Sequence, residues 1–200
     1  DLRDEVGFGI ENRHYRMNNY LNRNGEIYPT HALGPICKML NVNRGNRMLS
    51  LVSMSSKARG MEEWVKKNKP ANHYLAGKKW AEGDIVNTLI KCAHGETILL
   101  THDTTLPHPY SRNLRVQGTF GIYMEDRQAI AMSDPSTKEM YAEEWVPFQQ
   151  YAKEKGYEHP LWMEYDKRGS NPNVKLAHGG MDYFIQRAFV EAVINGTPMP

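Results

Sequence analysis

Two hundred residues, 40% hydrophobic and 24% charged, are enough to bury a core without covalent staples, and the balance excludes a disordered chain. The 25 basic and 23 acidic residues leave a formal charge of +2, and no basic stripe interleaves with aromatics, which argues against a nucleic-acid partner. No apolar run approaches the ~20 residues that a membrane span needs.

Residues 1–27 are polar, rich in Asn and Arg, and lack sustained periodicity. They read as a loop with one helical turn around His14 to Leu21. Pro29 suits a first helical position. Leu33, Ile36, Cys37 and Leu40 then recur at i, i+3, i+4 and i+7, which predicts a short amphipathic helix ending near Asn41, its start bent or delayed by Pro35.

Alternation over Met48 to Ser55 predicts a strand, and Met61, Trp64 and Val65 mark a short helix over residues 60–68. Asp84 to Lys91 and Thr97 to Thr104 are β-branched runs joined through Ala93-His94-Gly95-Glu96, which predicts a β-hairpin. Leu114 to Gln117, Gly118 to Glu125 and Gln128 to Met132 follow as short strands expected to extend the same antiparallel sheet, with Glu125-Asp126-Arg127 as a turn.

Tyr141 to Lys155 is helical in part and interrupted by Pro147, and Gly156 to Val174 reads as a long polar loop. Met181, Phe184, Ile185, Ala188, Phe189, Ala192 and Val193 form a helical stripe closed by Asn195-Gly196 and expected to cover a sheet face. The fold class is α+β: an open, mainly antiparallel sheet with helices packed on one face, as a single domain over residues 1–200. The abrupt start at Asp1-Leu2-Arg3-Asp4 and the turn-like end suggest a fragment of a longer protein.

Motifs with known chemistry are mostly absent. There is no Gly-x-Gly-x-x-Gly, no phosphate-loop Gly-Lys-Ser/Thr, no His-Glu-x-x-His and no Gly-x-Ser-x-Gly, so the chain has no nucleotide-binding motif of its own. Cys37 and Cys92 lie in apolar patterns and read as buried free thiols. His102, Asp103 and His108 fall in a turn-rich stretch without ligand spacing, so no metal is expected and solvated loop histidines are preferred. Glu62 with Glu63, and Glu143 with Glu144, are adjacent on helices and suit a solvated face better than paired glycosidase carboxylates.

Tyr28 and His31 stand out because they share one face at a helix start, where unpaired amides and the dipole favour ligands rich in oxygen or negative charge. By local physics alone the plainer reading is preferred: Tyr28 as a hydrophobic staple and His31 as a satisfied polar residue. Tyr110, in Leu106-Pro107-His108-Pro109-Tyr110, sits on a loop stiffened by two prolines and is open to either sugar stacking or packing on those prolines. Arg16 is by default a surface cation, though a position before the Tyr28 helix would let it clamp a hydroxyl or acetamido oxygen. His178-Gly179-Gly180 reads as a helix entry.

Gly25 to Ile36, Leu106 to Asn113, Leu114 to Gly121 and His178 to Phe184 together resemble the C-terminal domain of the NAD-dependent α-N-acetylgalactosaminidases. These are glycoside hydrolases on the glucose-fructose oxidoreductase, inositol dehydrogenase and MocA scaffold. The likeness covers nearly the whole chain, and Gly-x-x-Tyr-Pro-Thr-His-x-Leu-Gly-Pro, residues 25–35, is its most specific part. Most dehydrogenases of the scaffold carry Asp where Tyr28 stands, which favours the glycosidase branch.

The resemblance implies an upstream Rossmann domain that binds NAD. It places Tyr28, Pro29, Thr30 and His31 against cofactor and reacting sugar, with Arg16, Tyr28 and Tyr110 contacting a glycan ended by N-acetylgalactosamine. The implied chemistry is oxidation at C3, loss of the acidified C2 proton, departure of the aglycone, water addition and re-reduction, with His31 and Tyr28 catalytic. One departure is His108, where the family pattern leads one to expect Arg or Lys. The alternatives are a sugar or inositol dehydrogenase of the same scaffold, and a non-catalytic module that pairs as a homodimer through the open sheet.

Overall fold

The computed structural model describes residues 14–134, 144–167 and 181–198. The expectations for residues 1–13, for 168–174 and for the His178-Gly179-Gly180 turn therefore lie outside the described residues. The chain forms two compact units, Asp1–Arg112 and Asn113–Pro200.

The first unit opens with α1 (His14–Asn22), a full helix in place of the single turn expected there. Its Met17 and Tyr20 are buried with Met61 and Val65 of α3 (Gly60–Asn68) and with Leu75 and Trp80 from the following loop. A short helix from a polar sequence persists because this face is covered, since helices of such length are marginal in isolation.

Between them α2 (Thr30–Met39) follows Pro29, whose carbonyl accepts from Leu33 N–H at 2.8 Å. Pro35 lies within α2, where it lacks the amide that would bond His31's carbonyl. Asn41, with φ of 52°, lies just past the helix end, where a left-handed residue is favoured.

Strands β1 (Met48–Ser55), β2 (Ile85–Cys92) and β3 (Thr97–Asp103) make an antiparallel sheet in that order, with Ile90 opposite Ile98 and Leu89 opposite Leu99. The predicted β1, α3 and hairpin are all present. Alternation puts Val86, Ile90 and Cys92 of β2, with Ile98 and Leu100 of β3, on the buried face, and Leu33, Ile36 and Leu40 of α2 pack there. Cys37 and Cys92 are free thiols, Cys92 fully buried and Cys37 half-buried. Asn46, also buried, ties the end of α2 to the hairpin turn by donating to Leu40 O and accepting from His94 N–H.

The second unit departs from the sequence expectation of one continuous sheet. Strands β4 (Arg115–Gly118), β5 (Gly121–Met124), β6 (Ala129–Met132) and β7 (Val146–Pro147) form a separate four-stranded antiparallel sheet. Alternation identifies a strand but not its partner; here tight turns close β4 on β5 and β5 on β6. Gly121 is needed for close approach, since a Cβ there would stand 2.6 Å from Ala131 O.

Pro147 ends β7 and caps α4 (Phe148–Lys155), so the proline begins the helix instead of interrupting it. Phe148 meets the Tyr123 ring edge-on at 5.0 Å, which seats α4 on this sheet. The described part of the expected 156–174 loop contains a helix, α5 (Pro160–Lys167). Its first-position proline and the His159 ring, which accepts from Leu161 N–H at 3.2 Å, start it without a periodic apolar signal. The final helix, α6 (Met181–Asn195), stands where expected, but its stripe is divided. Phe184 packs edge-on against Trp162 and Ala192 is buried, whereas Ile185, Phe189 and Val193 are exposed.

Candidate active site at the start of the second helix

The segment between α1 and α2 is sewn to the rest of the first unit through side chains. Asn24 donates to Ser55 Oγ at 2.7 Å and accepts from Gly83 N–H, and Gly25 N–H donates to Glu82 Oε2 at 3.2 Å. Glu26 Oε1 accepts from Tyr28 N–H at 3.2 Å. A connection that would otherwise be pliable is thereby held while its outward side chains remain accessible.

Three predicted residues meet on this outward face. The Tyr28 and His31 rings lie 5.2 Å apart between centroids, and Tyr28 Oη is 3.5 Å from His31 Nε2. Arg16 of α1 brings its guanidinium 5.1 Å above the Tyr28 ring, a cation–π contact. Tyr28 is 49% exposed, so the staple reading does not account for it. The structure places Tyr28 just before the helix and not on its first turn; the spacing to His31 still puts both on one face. Pro29 and Thr30 form the helix start between them.

Sequence reasoning missed Tyr15 here. Arg16 Nε donates to Tyr15 Oη at 3.1 Å and also lies 5.8 Å from that ring, so the guanidinium is flanked by two tyrosines. The adjacent Tyr15-Arg16 dipeptide was the available signal.

Tyr110 is held by a different contact: Arg112 Nε donates to its hydroxyl at 3.1 Å, and the ring is 81% exposed. The contacts that gather Arg16, Tyr28 and His31 do not include it. Beside it, His108 Nδ1 is 2.6 Å from Pro109 O and Nε2 is 3.2 Å from Asp103 O. Only an imidazolium donates from both nitrogens, and the bond to Pro109 pushes the His108 pKa above its usual 6.5, with Asp103 adding to the effect.

The contribution of His108 to order is thus fully present below the unfolded pKa of 6.5 and is lost as pH rises through the higher folded value. Hydrogen exchange in residues 103–110 should accelerate as pH climbs from about 6 to about 9, beyond the intrinsic base-catalysed rise, and His108→Gln should abolish that excess.

His102 requires a correction. It is not a solvated loop histidine: it projects from β3 into the buried face at 5% exposure, with Nδ1 3.2 Å from Glu26 Oε1 and Nε2 3.1 Å from Tyr20 Oη. Among the described residues no three His, Cys, Asp or Glu side chains converge as a metal site. Glu62 lies beside Arg59 at 3.6 Å on the solvated start of α3, and Glu143 is outside the described residues.

A family model described as glycosyl hydrolase 109, C-terminal domain, matches residues 5–200. A protein of Tannerella forsythia named alpha-N-acetylgalactosaminidase is 39% identical over 93% of this chain. Glycosyl hydrolase family 109 proteins of Parabacteroides distasonis and Stenotrophomonas maltophilia are 39% and 41% identical over 93% and 96% of it. The chain spans only 38% of the first two relatives and 40% of the third. It therefore belongs to the glycosyl hydrolase 109 family and corresponds to that family's C-terminal domain.

Proposed function

We propose that the full-length protein is an NAD-dependent α-N-acetylgalactosaminidase and that this chain supplies the sugar-facing wall of its active site. The carrying observation is the exposed face on which Arg16, Tyr28 and His31 meet at the start of α2. The name of the Tannerella forsythia relative, alpha-N-acetylgalactosaminidase, supports the substrate class.

The helix start suits the reactive side of a nicotinamide. Its two polar side-chain heads are exposed, and the first helical bonds run from Ala32 and Leu33 to Pro29, leaving the preceding amides outside the ladder. Tyr28, Pro29, Thr30 and His31 would line the cofactor there, while most of the dinucleotide would be held by the upstream domain. When bound, NAD supplies reversible acceptance of hydride.

The chain's own residues handle protons and position. His31 Nε2 accepts the C3 hydroxyl proton, and its long 3.5 Å contact with Tyr28 leaves room for a substrate oxygen to bond to both groups. Tyr28 holds sugar oxygens, and Arg16 directs charge-assisted hydrogen bonds toward the sugar. Tyr110 contributes an aromatic face on its own stiff loop.

The test uses the full-length protein and p-nitrophenyl α-N-acetylgalactosaminide. Release of p-nitrophenol without accumulation of NADH supports the reading, while stoichiometric NADH with no p-nitrophenol replaces it with a sugar dehydrogenase.

A homodimer through the open face of the first sheet is also proposed. Val52, Leu89 and Leu99 lie opposite one another across three strands on the face away from α2, and Leu99 is 67% exposed. Leu99→Glu should weaken self-association at least about tenfold by sedimentation velocity, because two symmetry-related carboxylates would be buried together.

A further inference from the structure

Behind the exposed cluster runs a buried polar chain that the proposed chemistry does not use. Thr104 Oγ1 contacts Tyr20 Oη, Tyr20 Oη meets His102 Nε2 at 3.1 Å, and His102 Nδ1 meets Glu26 Oε1 at 3.2 Å. The same Glu26 oxygen accepts from the Tyr28 amide. His102 is 5% exposed and Glu26 11%. The chain crosses from the covered face of the sheet to the backbone that presents Tyr28.

Donors and acceptors can alternate along this chain. With the ring hydrogen of His102 on Nδ1, facing Glu26 Oε1, Nε2 is the atom that accepts from the Tyr20 hydroxyl. Burial pushes the Tyr20 pKa up to about 12, so its hydroxyl stays protonated. Glu82 faces the same region, with Oε2 accepting from Gly25 N–H and burial raising its pKa.

Apolar side chains of equal volume would join α1 to the sheet without the desolvation cost of a buried carboxylate and imidazole. The polar chain adds direction. Its outer acceptor fixes one backbone amide, and three residues later on the same face stands His31.

From this geometry we infer that Glu26, held in place by His102 and Tyr20, is a positioning residue that sets Tyr28 and His31 for the reaction. The inference rests on the glycosidase reading for its kinetic arm alone. Its structural arm is independent of substrate.

The experiment uses the full-length protein with its NAD content measured, and compares Glu26→Leu, Glu26→Gln and Tyr20→Phe. Gln keeps a carbonyl acceptor for the Tyr28 amide, Leu keeps volume without an acceptor, and Phe cuts the link between Tyr20 and His102. Per NAD-loaded molecule, Glu26→Leu should lose about tenfold to a hundredfold in kcat with KM within about threefold, and Glu26→Gln should stay within about threefold on both.

Hydrogen exchange across residues 25–31 supplies the substrate-free readout: protection should fall about tenfold in Glu26→Leu and persist in Glu26→Gln. Tyr20→Phe should lower kcat about two- to fivefold at unchanged KM, and it serves as the test where Glu26→Leu does not fold. Unchanged kcat per folded molecule in Glu26→Leu and Tyr20→Phe, or equal damage from Gln and Leu at Glu26, overturns the inference. A wild type that releases no p-nitrophenol sinks the glycosidase reading instead, and the exchange data then decide the positioning role alone.

Discussion

Replacing His31 by alanine in the full-length protein is expected to lower turnover of an α-N-acetylgalactosaminide by about 10²–10⁴-fold, the usual worth of a positioned general base. NAD content should be unchanged, because the chain carries no dinucleotide motif and the upstream domain would hold most of the cofactor. Exchange of the C2 proton with solvent deuterium should disappear along with turnover, since that proton becomes acidic only after C3 has been oxidised. Unchanged exchange would remove His31 from the C3 step. Tyr28→Phe provides the contrast: it removes the hydroxyl beside His31 Nε2 but keeps the ring under Arg16, so it should raise KM more than it lowers kcat.

The cluster could be found in the sequence in part because its members are close along the chain. Tyr28 and His31 are three residues apart across the helix start, and the helical backbone of Pro29 between them brings their rings together. Arg16 required more: α1 had to be a full helix docked by Met17 and Tyr20 before its outer face could approach Tyr28. In the same way β1, α3 and the β2–β3 hairpin carry strong local signals, whereas the partners of β4, β5 and β6 depend on turns and pairings that alternation does not encode.

The buried chain was illegible for the opposite reason. Tyr20 and His102 are 82 residues apart, and neither Glu26 nor His102 sits in a spacing that announces a partner. In sequence, His102 beside Asp103 looked like a loop pair. The burial pattern of β3 turns that residue inward, because Ile98, Leu100 and His102 alternate onto one face. The α5 helix escaped notice because proline at a first helical position reads as a breaker until its place is known.

The largest stability effect is expected at Asp84, just ahead of β2. Asp84 is 6% exposed, and its carboxylate accepts from Arg59 N–H at 2.7 Å, Gly60 N–H at 2.9 Å and the Thr105 hydroxyl at 2.7 Å. It caps α3 from a distant part of the chain, satisfying amides that no side chain at the helix start reaches. Asp84→Ala would leave those donors unsatisfied in a cavity, and about 3–4 kcal/mol of stability should be lost, less than the sum of three charge-assisted bonds because neighbours relax.

Thr105→Val removes only one of the three bonds and should cost about 1 kcal/mol. Gly60→Ala should also destabilise, since its Cβ would lie 2.5 Å from Thr105 O and 3.0 Å from Asp84 Oδ1. Denaturant unfolding of the full-length protein, with hydrogen exchange resolving residues 57–61 and 103–106, would measure all three. The consequence extends beyond α3: Thr105 is the root of the loop that carries Tyr110, so Asp84→Ala should loosen that loop and raise KM. A loss below about 1 kcal/mol for Asp84→Ala would mean that water replaces the carboxylate at the helix start.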